Sequence, residues 1–177
     1  RFLKEDLGMP YVFLTTNGPL AAGPVLHRLM TTGLDSLKFS IHAADNEQFE
    51  CVMGVKSGLY EDALDNLKLA WEIRESCGYG TKLYASSIRY DGSQQERMEE
   101  LVRGRVRPYV DEWYELPLYS MGAVATQREK ELGYKPTAGN QGRIGGLVRP
   151  LPCWSAFTEG HVRSDGVVSL CCFDADG

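Results

Sequence analysis

The sequence contains no apolar run approaching the roughly 20 residues that a membrane-spanning helix needs, so a helical membrane protein is not expected. It also lacks Gly-x-Ser-x-Gly, His-Glu-x-x-His and the Walker A phosphate loop, and hydrolase templates find no support. Histidine is scarce, with three residues, and net charge is small and negative, −5 over 177 residues. An acidic balance argues against nucleic acid as a main partner. No internal repeat, low-complexity tract or secretory leader is visible. Five cysteines without a secretory context point to a reducing compartment, the cytoplasm, and to metal or redox use rather than a disulfide framework. What is present is ordinary globular material, 43% hydrophobic and 24% charged, enough for one good core. The chain opens at Arg1 in mid-pattern, with Phe2-Leu3 and Leu7 reading as the tail of a helix, so a fragment of a longer protein is expected.

Taken in order, Tyr11-Val12-Phe13-Leu14 reads as a buried strand that ends in the turn Thr15-Thr16-Asn17-Gly18-Pro19. Leu20, Val25, Leu26, Leu29 and Met30 give an amphipathic helix over 20–32, despite Pro24, with Gly33 as its stop. Leu37 to His42 alternates, which puts Ser40 and His42 on one face and Phe39 and Ile41 on the other. Ala63, Leu64, Leu67, Ala70 and Trp71 mark a long helix within 59–77, ended by Gly78. Leu83 to Tyr90 is the next strand. A charged helix follows over 94–107, with Met98, Leu101 and Val102 as its stripe; Gly104 weakens its end and Pro108 stops it. The basic run Arg103 to Arg107 reads as a solvated helix end, where positive charge suits the helix dipole. Trp113 to Leu118 is a further strand. Such alternation implies parallel strands joined by crossover helices, an α/β fold.

The chain then divides into 1–120, a glycine-rich irregular stretch 121–150, and 151–177. Gly142 to Gly146 (Gly-Arg-Ile-Gly-Gly) is a weak phosphate-loop candidate without a Walker lysine. In the last segment, Ser164-Asp165-Gly166 reads as a hairpin turn between short apolar runs. Twelve residues separate Cys153 from Gly166, and four more lead to Cys171 and its neighbour Cys172. A hairpin of this length brings Cys153 toward Cys171 or Cys172, a thiolate cluster suited to zinc or an iron–sulfur centre. Inert, packed or disulfide-bonded thiols are the plain alternative.

In parallel α/β proteins ligands gather beyond the carboxyl ends of the strands. That rule singles out Thr16-Asn17-Gly18, Ser40 with His42, Ser86 to Tyr90, and Leu116 to Ser120. His42 is a candidate base or ligand by its titration range; His27 on a helix and His161 on the hairpin are weaker. Cys77, at a helix end, reads as a packing residue, and Cys51 has no metal-ligand spacing.

Together these residues resemble the radical S-adenosylmethionine enzymes that carry a SPASM-type C-terminal domain. Thr16-Asn17-Gly18 resembles the turn after the third barrel strand of that family. Leu34 to His42 is similar to its fourth strand, Gly58 to Leu67 to the start of its fourth helix, and Val110 to Trp113 to the beginning of its sixth strand. Cys153 through Gly166 to Cys171 resembles the opening Cys…Gly-x4-Cys of the SPASM domain. The resemblance implies a partial (β/α)6 TIM-like barrel followed by the start of that domain. It implies an oxidoreductase or maturase that cleaves S-adenosylmethionine to a 5′-deoxyadenosyl radical for hydrogen abstraction. Ser40 would then lie near the ribose of S-adenosylmethionine, the backbone at Leu116 and Leu118 near its adenine, and Asn17 on the same cavity. Cys153, Cys171 and Cys172 would be ligands of an auxiliary [4Fe–4S] cluster, and Asp174 a proton acceptor. The implied partners are a peptide or small-molecule substrate and an electron donor such as a flavodoxin or ferredoxin, without nucleic acid or membrane. The family's Cys-x3-Cys-x2-Cys and Gly-Gly-Glu are absent from the sequence, and by the resemblance both would precede Arg1. The isolated fragment is therefore expected to be inactive, with an exposed barrel edge. A non-catalytic, zinc-binding α/β module that recognises a protein or peptide is the reading from a different class.

Overall fold

The structure is a computed structural model and describes residues 1–55, 58–90, 92–116, 160–162 and 165–169. The chain forms two compact units, Arg1–Leu116 and Pro117–Gly177. The first contains a four-stranded sheet in the order β1 (Phe13–Thr16), β2 (Ser36–Ser40), β3 (Lys82–Ile88), β4 (Glu112–Leu116), every neighbouring pair parallel. Helices α2 (Gly23–Thr31), α3 (Asn46–Met53), α4 (Leu59–Cys77) and α5 (Gly92–Leu101) cross between the strands, and a short α1 (Phe2–Glu5) precedes them. The alternation expected from the sequence is therefore present. It is compatible with part of a TIM-like fold, and no closure into a barrel is present among the described residues.

One face of the sheet meets the helices. Leu37 and Phe39 of β2 pair in register with Leu83 and Ala85 of β3, and all four are fully buried. Against them lie Leu26, Leu67, Met98, Val102 and Val106, also fully or almost fully buried. α4 has the bounds that its apolar spacing predicts; Gly78 adopts φ 67 and its N–H bonds the carbonyl of Arg74. α2 begins at Gly23, so Leu20 lies outside it and is exposed. Pro24 sits in the first turn, where a missing N–H costs nothing.

Three expectations require correction. The run Tyr11 to Leu14 is not a buried strand: pairing starts at Phe13, which is 57% exposed, because β1 has a partner on one side only among the described residues. The helix over 94–107 ends as an α-helix at Leu101 and continues as a π-turn, Val102–Val106, and a 3-10 turn, Arg107–Tyr109, that contains Pro108. Cys77 is exposed rather than packed, with its Sγ 3.9 Å from His27 Nε2. Helix α3 is an element not anticipated at all. Asp45 caps it by accepting the Gln48 N–H at 2.8 Å, and Gln48 Oε1 accepts the Ala44 N–H at 2.8 Å.

Asp111 ties the layers together. Its carboxylate accepts the Leu83 N–H at 2.8 Å and pairs with Arg74 of α4 at 2.5 Å. Burial alone would raise its pKa, but these donors hold the group below its usual range. Asp111→Ala leaves Arg74, whose side chain is 12% exposed, without its inter-element partner. The expected loss is about 2 kcal/mol, because a hydrogen bond to a charged group is worth about 1.5–3 kcal/mol. Urea denaturation measures it, and an unchanged midpoint would count against the role.

In the second unit the described residues form a hairpin, β5 (His161–Val162) antiparallel to β6 (Val168–Ser169). Gly166 adopts φ 83 in its turn, as the Asp-Gly pair predicts, and the Val167 N–H bonds Asp165 Oδ1 at 3.0 Å. Gly142 to Gly146 lie outside the described residues.

Candidate functional site

The face of the sheet turned away from the helices is polar at its carboxyl end. Strand alternation puts Ser36, Lys38 and Ser40 of β2 on this face. Register pairing extends it to Lys82, Tyr84, Ser86 and Ile88 of β3 and to Glu112, Tyr114 and Leu116 of β4. Ser40, Ser86 and Tyr114 are register partners and form one row of three hydroxyl-bearing residues across three strands. Below it run Thr15, Lys38, Tyr84 and Glu112, and the Lys38 ammonium lies 5.9 Å from the centroid of the Tyr114 ring.

Ser86 has no exposed surface, and its Oγ has no hydrogen-bond partner among the described residues. A buried hydroxyl left unmet costs about 1–3 kcal/mol. The carboxyl end of this sheet therefore holds a buried hydroxyl whose hydrogen bonding the described residues leave unmet. The sequence places Ser86 within the stretch 86–90 but does not separate it from its neighbours, because burial and lack of a partner are properties of the folded chain.

The loop after β1 is held rigidly beside this row. Thr16 Oγ1 accepts the Gly18 N–H at 3.1 Å, and Asn66 of α4 donates to the carbonyls of Gly18 and Pro19, each at 3.1 Å. Gly18 has φ 98, and a Cβ there would stand 2.8 Å from Ala63 Cβ. Asn17 is exposed at the tip of this clamped turn.

His42 does not share the Ser40 face as strand alternation predicts, because β2 stops at Ser40. It instead borders a crevice with Ala43, Phe49, Tyr60, Ala63 and Leu64 that has no room for water. Its Nδ1 is buried without a partner, and its carbonyl accepts the Tyr90 hydroxyl. Burial, aided by the charge of Lys38, lowers its pKa from 6.5 to about 4. At neutral pH the ring is therefore uncharged and a weak base. Burial pushes the Tyr60 hydroxyl up to about 12, and it donates to the Ala44 carbonyl at 2.7 Å.

Of the residues assigned a ligand role from the sequence, the structure puts Ser40 and Leu116 on one face at the same end of the sheet, both half-buried. Asn17 stands on the loop at that end. Leu118, Cys153, Cys171, Cys172 and Asp174 lie outside the described residues. Among the described residues there is no group of three or more metal-ligating side chains, and no helix is long and apolar enough to cross a membrane.

No family model matches the chain. The chain is 26% identical over 118 residues to a probable GTP 3′,8-cyclase of Sulfurisphaera tokodaii, a match that covers 67% of this chain. The chain spans about a third of that relative, 35% of its length. The similarity supports the radical S-adenosylmethionine superfamily at most.

Proposed function

We propose that this chain is part of a radical S-adenosylmethionine enzyme whose C-terminal hairpin opens an auxiliary iron–sulfur domain of the SPASM type. The observation that carries the reading is the row Ser40–Ser86–Tyr114 at the carboxyl end of a parallel sheet, with an unmet buried hydroxyl at its centre. Its support is the similarity to the cyclase. The donor set fits S-adenosylmethionine. Ser40 and Ser86 offer hydroxyls to a ribose, the Leu116 segment lies toward an adenine edge, and the clamped Asn17 turn closes one side. When bound beside a reduced iron–sulfur cluster, that cofactor supplies a radical able to abstract hydrogen. The protein's part is to bind, orient and exclude water. Lys38 provides a cation in the row beneath the hydroxyl row. Cys153, Cys171 and Cys172 are the proposed cluster ligands, and Asp174 the proposed proton acceptor. The substrate is a peptide or small molecule, with a nucleotide among the small molecules in view of the relative's name, and a flavodoxin or ferredoxin is the electron donor.

The test is iron and acid-labile sulfide per chain after anaerobic reconstitution, beside a Cys153→Ala, Cys171→Ala variant. Iron and sulfide in equal, near-stoichiometric amounts are expected in the parent and a loss of both in the variant. Zinc in their place, bound by the parent and lost from the variant, would overturn the iron–sulfur reading in favour of a zinc-binding recognition module.

A further inference from the structure

A second polar cavity lies on the opposite face of the sheet from the serine row. It has a volume of about 310 Å³ and is walled by Glu99 of α5, Val102 and Arg103 of the π-turn, Arg107 of the 3-10 turn, and Trp113 and Glu115 of β4. Trp113 and Glu115 are register partners of Ala85 and Ser87, which places them on the helix side. The volume falls at the small end of ligand pockets.

The cavity is lined by two carboxylates and two guanidiniums that do not pair with one another. Gln95 donates to both Glu99 and Glu115, and Arg89 lies 4.0 Å from Glu115, so both carboxylates are already engaged. Arg103 and Arg107 meet no carboxylate within 4.0 Å among the described residues; Arg107 lies 5.5 Å from the centroid of the Trp113 ring instead. The contrast is Arg105 between them, which makes a two-pronged pair with Glu61 at 2.6 and 3.1 Å. The indole N–H of Trp113 is buried and has no acceptor among the described residues. Arg103 and Arg107, four residues apart, share the side of the segment that borders the cavity, and Arg105 between them points toward α4. π-turns are frequent where a helix serves a site. All three arginines are exposed, as expected of a solvated helix end, and Arg103 and Arg107 among them border one space.

We infer that this cavity binds an oxyanion, a phosphate or carboxylate carried by a small molecule, gripped by the guanidinium groups of Arg103 and Arg107 beside the Trp113 ring. Guanidinium forks match either group with paired hydrogen bonds. The stack of Arg107 on Trp113 holds one fork in place. The site is independent of the proposed radical chemistry.

The test follows the indole N–H resonance of Trp113 in the full 177-residue chain, identified as the one lost in Trp113→Phe. Inorganic phosphate and, separately, acetate are titrated at constant ionic strength set with chloride. A saturable shift at millimolar concentration is expected, with affinity reduced roughly tenfold or more in Arg103→Gln, Arg107→Gln, about 1.4 kcal/mol. Both arginines are exposed, so this variant should melt with the parent. Arg105→Gln should leave the binding unchanged. Saturation by phosphate alone assigns a phosphate ligand, by acetate alone a carboxylate, and by both the shared chemistry. A shift that grows linearly with both anions, or one that the double variant keeps in full, overturns the site.

Discussion

Gly18→Ala should destabilise the first unit by about 3 kcal/mol, and the cause is contact as much as backbone strain. At φ 98 an L-residue is strained, at a cost of roughly 1–2 kcal/mol. The added methyl would stand 2.8 Å from Ala63 Cβ and 3.0 Å from its Cα, inside van der Waals contact with a buried helix. Overpacking of that kind costs a further 1–3 kcal/mol or so. The neighbour cannot give way, because α4 packs against α2, α3 and the π-turn. Thermal unfolding should register a drop of about 10 °C at this chain length. Ala63→Gly separates the two causes. It removes the nearer contact, so the double variant should be less unstable than the sum of the two single changes, with a coupling of about 1 kcal/mol. Additive effects would mean that φ alone is responsible. The same substitution should loosen the Asn66 clamp on the carbonyls of Gly18 and Pro19, and with it the turn that presents Asn17.

The second large effect is on acid stability. His42 is held neutral by burial, with a pKa of about 4 against an ordinary 6.5. An unfolded chain takes up a proton at this residue as the pH falls below about 6.5, while the folded chain does not until about 4. The unfolded state therefore binds more protons in that window, and stability rises with pH across it. The contribution is complete above pH 6.5 and about 3 kcal/mol smaller by pH 4. His42→Leu should flatten the dependence of the urea midpoint between pH 6.5 and 4 and leave the fall below pH 4 in place. That lower fall belongs to carboxylates held below their ordinary values. Asp35 is one, through the Lys4 and Val12 hydrogen bonds; Glu61 is another, through Arg105. If His42→Leu keeps the parent's slope above pH 4, the ring does not titrate as described.

The order of strands and helices was legible because the apolar spacing is strong where the core is deepest. Ala63, Leu64, Leu67 and Ala70 on α4 and Leu37, Phe39 and Leu83 on the strands are all buried. Residues whose burial depends on their neighbours in the sheet are not legible in the same way. Tyr11 to Leu14 looks like an inner strand in isolation, and only the sheet order shows β1 to be outermost among the described strands. The start of α3 does carry a sequence signal, since Asp45 followed three residues later by Gln48 is a capping pattern. The π-turn left no trace beyond Gly104, as i→i+5 pairing has no local pattern of its own. Ser40 was accessible from strand alternation. Ser86 and Trp113 stood out only once the fold showed which polar atoms it leaves unmet.

The order β1-β2-β3-β4 has a consequence for how the sheet is assembled during synthesis. Each strand pairs with the one made just before it, so no early strand waits for a late one. Thr16 meets Phe39, and Ser86 meets Tyr114, across short intervals of chain. The longest wait is between Ser40 and Ser86, where α3 and α4 must both be made before β3 can dock. Loop closure grows costlier with length, though slowly, and topologies rich in near-neighbour contacts fold quickly. The Ser40–Ser86 junction should thus be the last closure among the first three strands. The centre of the proposed site would then form only after the helices behind it are in place.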